Sequence, residues 1–340
     1  MSGAPSAAAR GDSPHSEYVL PLRWTSDEGL DELTDYLRRL ATRIPVTVVD
    51  GSPELVFARH AARWRGLVRH LPPEPWPGRN GKVAGVLTGV LLARAERVVL
   101  ADDDVRYDDE SLDAVLRLLD SADIVRPQNY FSVPPGQTLP WHARHDTARS
   151  LLNRAFGSDY PGTFAIRRSA LFATGGYDGD VLFENLELLR TVRAAGGREV
   201  RADGVYVRRL PPTVRHFAGQ RVRQAYDDFA QPVRLAVELG LLPLLIWAAR
   251  RPLRLLPVAG AAVTLAEAGR RRAGGANVFP ATAALWAPAW LLERAVAVWV
   301  ALGWRLRGGV PYAGSRVLRA GTPMRELRRR LSHGGADDGP

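Results

Sequence analysis

From Tyr18 onward, short apolar runs alternate with stretches whose apolar residues recur at helical spacing, and no other feature of the chain restricts its fold as strongly. YVLPL gives way to DELTDYLRRLATRI, PVTVVD to a helical stretch near Glu54 to Trp64, and LVRHL to KVAGVLTGVLLARA. RVVLA then leads to DESLDAVLRLLDS and DIVRP. Strands that resume after each helix build a mostly parallel sheet flanked by helices, an α/β fold. Ligands of such sheets collect beyond the carboxyl ends of the strands. Residues 1–17 are small and polar, lack the apolar core of a signal peptide, and read as a disordered tail.

The chain changes character beyond Asp227. Residues 1–204 carry 25 basic and 28 acidic side chains, whereas 205–340 carry 21 arginines against 8 acids. The net +10 therefore belongs to the second part, which also holds the apolar runs 235–249, 255–269 and 278–304. Arginines flanking apolar stretches fit a cytosolic membrane surface better than nucleic acid, and no nucleic-acid partner is expected. Only the last run comfortably exceeds the roughly 20 residues that span a bilayer, and it contains Glu293 and Arg294, each costing about 3 kcal/mol at a membrane centre. Spanning helices, in-plane helices and a buried helical subdomain all remain open readings. The expected division is a tail (1–17), an α/β domain (18–230), an apolar helical membrane-associated region (231–320) and a basic helix with a second tail (321–340). Cysteine is absent, which removes disulfides, thiol catalysis and cysteine metal sites.

Three segments carry chemistry. The apolar strand RVVLA runs straight into Asp102, Asp103 and Asp104, so carboxylates stand at the carboxyl end of the sheet, where uncompensated negative charge is costly. Asp102 and Asp104 can share a divalent ion such as Mg2+ or Mn2+, which favours oxygen ligands and accepts phosphate oxygens beside them. Asp108 and Asp109 cap the next helix. Asp50 ends the second strand, where it either meets a nucleobase or ribose or caps the helix that follows. Lys82, the sole lysine, opens a helix after a glycine turn and can face a diphosphate. His142, His145, Asp146, Arg149 and Arg154 fall at helical spacing and read as a solvated polar face.

The order VVDGSP, GRNGKVAGVLTG, VVLADDDVRYDDESL, GGYDGDVLFENLELLRTVRAAGG and QRVRQAY resembles a family-2 glycosyltransferase of GT-A fold, nearest to the ceramide-glucosyltransferase-like branch, over residues 18–230. The resemblance implies inverting transfer of a hexose from a nucleotide-diphosphate sugar, a UDP sugar above all, to a lipid-linked acceptor. It also implies a catalytic domain on the cytoplasmic side of the cell membrane. On this resemblance Asp50, Lys82, Asp102, Asp103, Gln220, Arg221 and Arg223 bind the donor, and Asp102 and Asp104 hold Mn2+ or Mg2+, with Asp104 the more direct ligand. Gly175 and Gly176 match the turn before the acceptor-side helix.

Two positions depart from the family pattern. Gln224 stands where the signature Gln-x-x-Arg-Trp has its tryptophan. Glu184 is followed by Asn185 where the family has the aspartate that deprotonates the acceptor, and an amide cannot accept that proton. Three readings follow: Glu184 acts as base, Asp180 acts from the preceding turn, or the chain is a catalytically weak protein that binds nucleotide sugar.

Overall fold

The computed structural model describes residues 15–334 apart from Pro135, Ser158 and Ala313. Residues 1–14 and 335–340 of the two expected tails lie outside the described residues, but Ser16 and Glu17 already belong to the first strand. Glu17 is held there because its carboxylate caps the backbone N–H groups of Arg94 and Ala95.

The chain runs β1 (Ser16–Leu22), α1 (Leu30–Leu40), β2 (Val46–Asp50), α2 (Glu54–Arg63), β3 (Arg69–Leu71), α3 (Gly81–Leu92), β4 (Arg97–Ala101) and β5 (Val105–Arg106). It continues with α4 (Asp109–Leu118), β6 (Ile124–Phe131), α5 (Trp141–Ala155), β7 (Thr163–Arg167), α6 (Arg168–Phe172), α7 (Glu184–Ala194), β8 (Glu199–Arg209) and α8 (Val214–Tyr226). The C-terminal part holds α9 (Pro232–Ala249), α10 (Leu255–Arg271), α11 (Ala287–Leu306), β9 (Val310–Tyr312), β10 (Ser315–Val317) and α12 (Met324–Gly334). The eight-stranded sheet has the order β3-β2-β1-β4-β7-β6-β8-β5. Only β7 and β5 run against the rest, so the sheet is mostly parallel as expected.

Strand alternation divides the core in two. Tyr18 and Leu20 of β1 face Leu33 and Leu37 of α1 and Val115 of α4, while Val19 faces Val83, Val86 and Val90 of α3. Helix α3 lies so close to β1 that a Cβ on Gly89 would stand 2.2 Å from Val19 Cγ1. The expected cap of α4 is present: Asp108 accepts from Ser111 N at 2.8 Å and forms a capping box with it.

Helices α9 to α11 pack onto the sheet domain. Ala148, Leu151 and Leu152 of α5 share a core with Ala262 and Ala266 of α10 and with Ala287 and Trp290 of α11. The polar residues of α5 are buried, not solvated as the helical spacing suggested: His142 and His145 pack on Phe217 and Asp146 pairs with Arg221, both of α8, while Arg154 donates to Gly269 O of α10. α9 has only Glu238 and Ala248 buried, and its Val233, Val237, Ile246 and Trp247 are exposed, as are Leu292, Val296, Trp299 and Val300 of α11. Pro232–Ala249 and Ala281–Leu306 are long and apolar enough to cross a membrane. After the β9–β10 hairpin the chain returns to the sheet domain, where Leu182 N and Phe183 N donate to Arg319 O and Ala320 O, both at 2.9 Å.

Candidate active site

The carboxyl end of β4 delivers Asp102 beside two cations. Asn80 caps α3 by accepting from Lys82 N, which orients Lys82 toward the strand end. Its Nζ then lies 2.6 Å from Asp102 Oδ1, 2.7 Å from Glu184 Oε1 and 3.3 Å from Asn185 Oδ1. One ammonium thus bridges the acid of the sheet and the first residue of α7. Burial works against its charge, but Asp102 and Glu184 outweigh that and hold it above the ordinary lysine range. Asn185 turns its amide N–H to Pro161 O at 3.1 Å.

Arg209, at the end of β8, pairs through Nε with Asp104 Oδ2 at 2.7 Å and stands 3.8 Å from Asp102 Oδ2. Burial, reinforced by Asp103 and Asp102 and opposed by Arg209, raises the Asp104 carboxyl above its usual range. The other oxygen, Oδ1, is buried without a hydrogen bond. Asp103 points elsewhere, accepting from Trp24 Nε1. The close approach of β7 to Asp102 demands glycine at 162, since a Cβ there would lie 2.5 Å from Asp102 Oδ2.

Helix α8 closes the far side. Gln220, Arg223 and Gln224 reach a cleft of about 180 Å³, which also takes in Lys82, Asp102, Glu184, Asn185, Arg209 and Arg149. Arg221, one step round the helix, faces the interior and forms a two-pronged pair with Asp146 at 2.7 and 3.0 Å. Arg223 lies over the Tyr312 ring at 4.6 Å, so the β9–β10 hairpin braces this wall.

Residues 35–226, more than half of the chain, match the family model described as "Glycosyltransferase like family 2". The chain belongs to that family. It is a glycosyltransferase with a mixed α/β, GT-A-like fold. No curated protein matches it. Similar solved structures include mannosyltransferase PcManGT from Pyrobaculum calidifontis in complex with GDP-Man and Mn2+, at 21% identity over 85% of this chain and 88% of that one, TM-score 0.48. S. aureus TarS 1-349 is similar at 15% identity over 66% of this chain and 65% of that one, TM-score 0.41. The TarS complex with UDP is similar at 16% identity over 62% and 64%, also with a TM-score of 0.41.

Of the residues singled out in the sequence of this glycosyltransferase, Lys82, Asp102, Glu184, Gln220 and Arg223 share the cleft. Asp180 is half exposed, 3.9 Å from Arg79 and outside the cleft lining. Asp50 is 1% exposed and held by His60 Nδ1 at 2.7 Å, His70 Nε2 at 3.0 Å and Ser52 N at 2.9 Å. Burial alone would raise its carboxyl, but the hydrogen bonds from His70, Ser52 and His60 bring it down to about 2. Sequence reasoning missed Asp227, which lines the same cleft. Burial, with Glu184 adding, pushes its carboxyl up to about 8 against Arg223, Arg294 and Arg149. Its position seven residues after Gln220, two turns along one helix face, is the signal that marks it. A divalent ion fits the Asp102–Asp104 loop by donor chemistry: the set is all oxygen, and Asp104 Oδ1 has no partner.

Proposed function

We propose that this glycosyltransferase is an inverting, metal-dependent enzyme of the ceramide-glucosyltransferase-like branch, moving a hexose from a UDP sugar to a lipid-linked acceptor. The observation that carries this reading is the Lys82 bridge, which joins Asp102 and Glu184 across one cleft with Gln220 and Arg223. The acceptor hydroxyl gives its proton to Glu184 as its oxygen attacks the anomeric carbon from the side opposite the diphosphate. The sugar–diphosphate bond breaks, and the charge that builds on the leaving oxygen meets Lys82, Arg209 and Arg223. Asp102 and Asp104 would hold Mn2+ or Mg2+, a Lewis acid toward the same diphosphate. Glu184 is favoured over Asp180 because only Glu184 lines the cleft. The donor set within the cleft is Lys82, Asp102, Gln220 and Arg223, since Asp50, Asp103 and Arg221 have their polar atoms engaged elsewhere.

In this reading residues 18–230 are the catalytic domain and 231–320 dock it on the cytoplasmic face of a membrane. In-plane docking is favoured over spanning. Arg294 of α11 meets Asp228 at 3.2 Å and Glu238 of α9 at 3.6 Å, so the charged faces of both helices stay bound to the protein while their apolar faces point out. The test is UDP and GDP release from a panel of nucleotide sugars with Mn2+, with and without lipid extract. Lipid-stimulated release lost in Asp104→Ala and Glu184→Gln is the expected result. Nucleotide binding without release from any donor would instead identify a silent binding protein built on this fold.

A further inference from the structure

Away from the cleft, the ends of β2 and β3 and the middle of α2 bring together Asp50, His70 and His60. It is the group of three or more metal-type donors found among the described residues, with its donor atoms all within 4.8 Å of one another. The His60 side chain is fully buried, and His70 is stacked on Phe57 with ring centroids 4.3 Å apart. Asp50 Oδ2 faces both imidazoles, through His60 Nδ1 and His70 Nε2.

The far nitrogen of His60 faces an acceptor and needs a proton, which either a ring carrying both protons or a cation bound at Nδ1 would supply. His60 Nε2 and Asp27 Oδ1 are both buried, neither has a hydrogen bond, and they face each other at 3.7 Å. If His60 is a neutral ring donating Nδ1–H to Asp50, its bare Nε2 lone pair confronts a bare carboxylate oxygen, acceptor against acceptor in a dry site. If Nδ1 instead binds a cation, the proton moves to Nε2 and points at Asp27. That is the carboxylate–histidine–metal arrangement in which a second carboxylate orients the ligating ring. Ser52 N fixes the second oxygen of Asp50 in the same way, at 2.9 Å. Donor atoms around a four-coordinate zinc stand about 3.3 Å apart, so the Asp50–His60 and Asp50–His70 separations of 2.7 and 3.0 Å would have to open by about 0.6 and 0.3 Å.

The geometry points to a binding site for a zinc-type divalent ion formed by Asp50 Oδ2, His60 Nδ1 and His70 Nε2, with Asp27 positioning His60. Two imidazoles and one carboxylate select late first-row ions over Mg2+, which separates this site in ion type from the all-oxygen Asp102–Asp104 loop. The ion clips the edge strand β3 and helix α2 to the end of β2, and it gives Asp50 a role other than contact with a nucleobase.

The test is Co2+ titration of full-length protein stripped with chelator. One Co2+ per chain should bind with a visible d–d band, be displaced by Zn2+, and shift histidine ring protons in the NMR spectrum. Asp104→Asn should retain this binding, His70→Ala should lose it, and Asp27→Asn should weaken it about 10- to 100-fold. Because the buried variants can fail to fold, the wild-type NMR shifts stand as an independent readout. Absence of a tightly bound Co2+, or a bound Co2+ that shifts no histidine protons, overturns the site and leaves a doubly protonated His60 between two carboxylates. Nucleotide-sugar turnover followed in parallel reports on the cleft separately.

Discussion

Lys82 organises the cleft by holding two acids that would otherwise repel, and the consequence differs for each neighbour. Glu184→Gln removes the proposed proton acceptor but keeps the shape, so turnover should fall by about 10²- to 10⁴-fold while donor Kd, read by calorimetry, stays within a few-fold. Asn185→Asp takes away the amide that holds Pro161 O and sets a third carboxylate on Lys82, so turnover should fall, not rise. A rise would move the base to position 185. Asp227 supplies a pH signature. Its folded carboxyl titrates near 8 and its unfolded one near the ordinary value of 3.8, so the folded state holds the extra proton between them. Stability from this group is therefore greatest below about pH 4 and is lost as pH rises toward 8. Across pH 5 to 8, Asp227→Asn should show a flatter decline in Tm than the wild type. Asp227 and Lys82 also mark what the sequence makes readable. The carboxylates after RVVLA are legible because a buried strand ending in acids has few explanations. The Lys82–Glu184 pair joins residues 102 positions apart, which no local pattern reports.

At the scale of elements, α8 divides its arginines between two tasks. Arg223 lines the cleft, whereas Arg221 neutralises Asp146 inside the protein. Arg221→Ala strands a buried carboxylate and should cost about 3 kcal/mol or more in urea unfolding, with donor affinity little changed in the folded fraction. Arg223→Ala should do the reverse. The element order as far as β6, apart from the two-residue β5, was legible from the alternation of apolar runs with stretches of helical spacing. Two features were not. β7 runs against both its neighbours, β4 and β6, and α5, which precedes it, shares a second core with α10 and α11. The burial of His142, His145 and Asp146 against Pro212, Phe217 and Arg221, and of Arg154 against Gly269 and Arg272, rests on partners about 70 to 118 residues downstream.

At the scale of the molecule, the C-terminal helices and the sheet domain are mutually dependent. A fragment ending at residue 230 would expose the α5 face that α10 and α11 cover and would leave Asp228 without Arg234 and Arg294. It should show no cooperative thermal transition, whereas the full chain should. The exposed faces of α9 and α11 should carry the full chain onto anionic vesicles in a flotation assay, and Trp247→Ser with Trp299→Ser should reduce the floated fraction several-fold. The strap from Arg319 to Thr322 adds a constraint of timing. The carbonyls of Arg319 and Ala320 pin the residues just before α7, and Thr322 N donates to Glu187 Oε2 at 2.7 Å. Synthesis proceeds from the N-terminus, so a nascent chain whose sheet is already outside the ribosome still lacks the contacts that brace the start of α7. Residues 319–322 therefore have to be made and docked before the start of α7, and with it Glu184, is held in place.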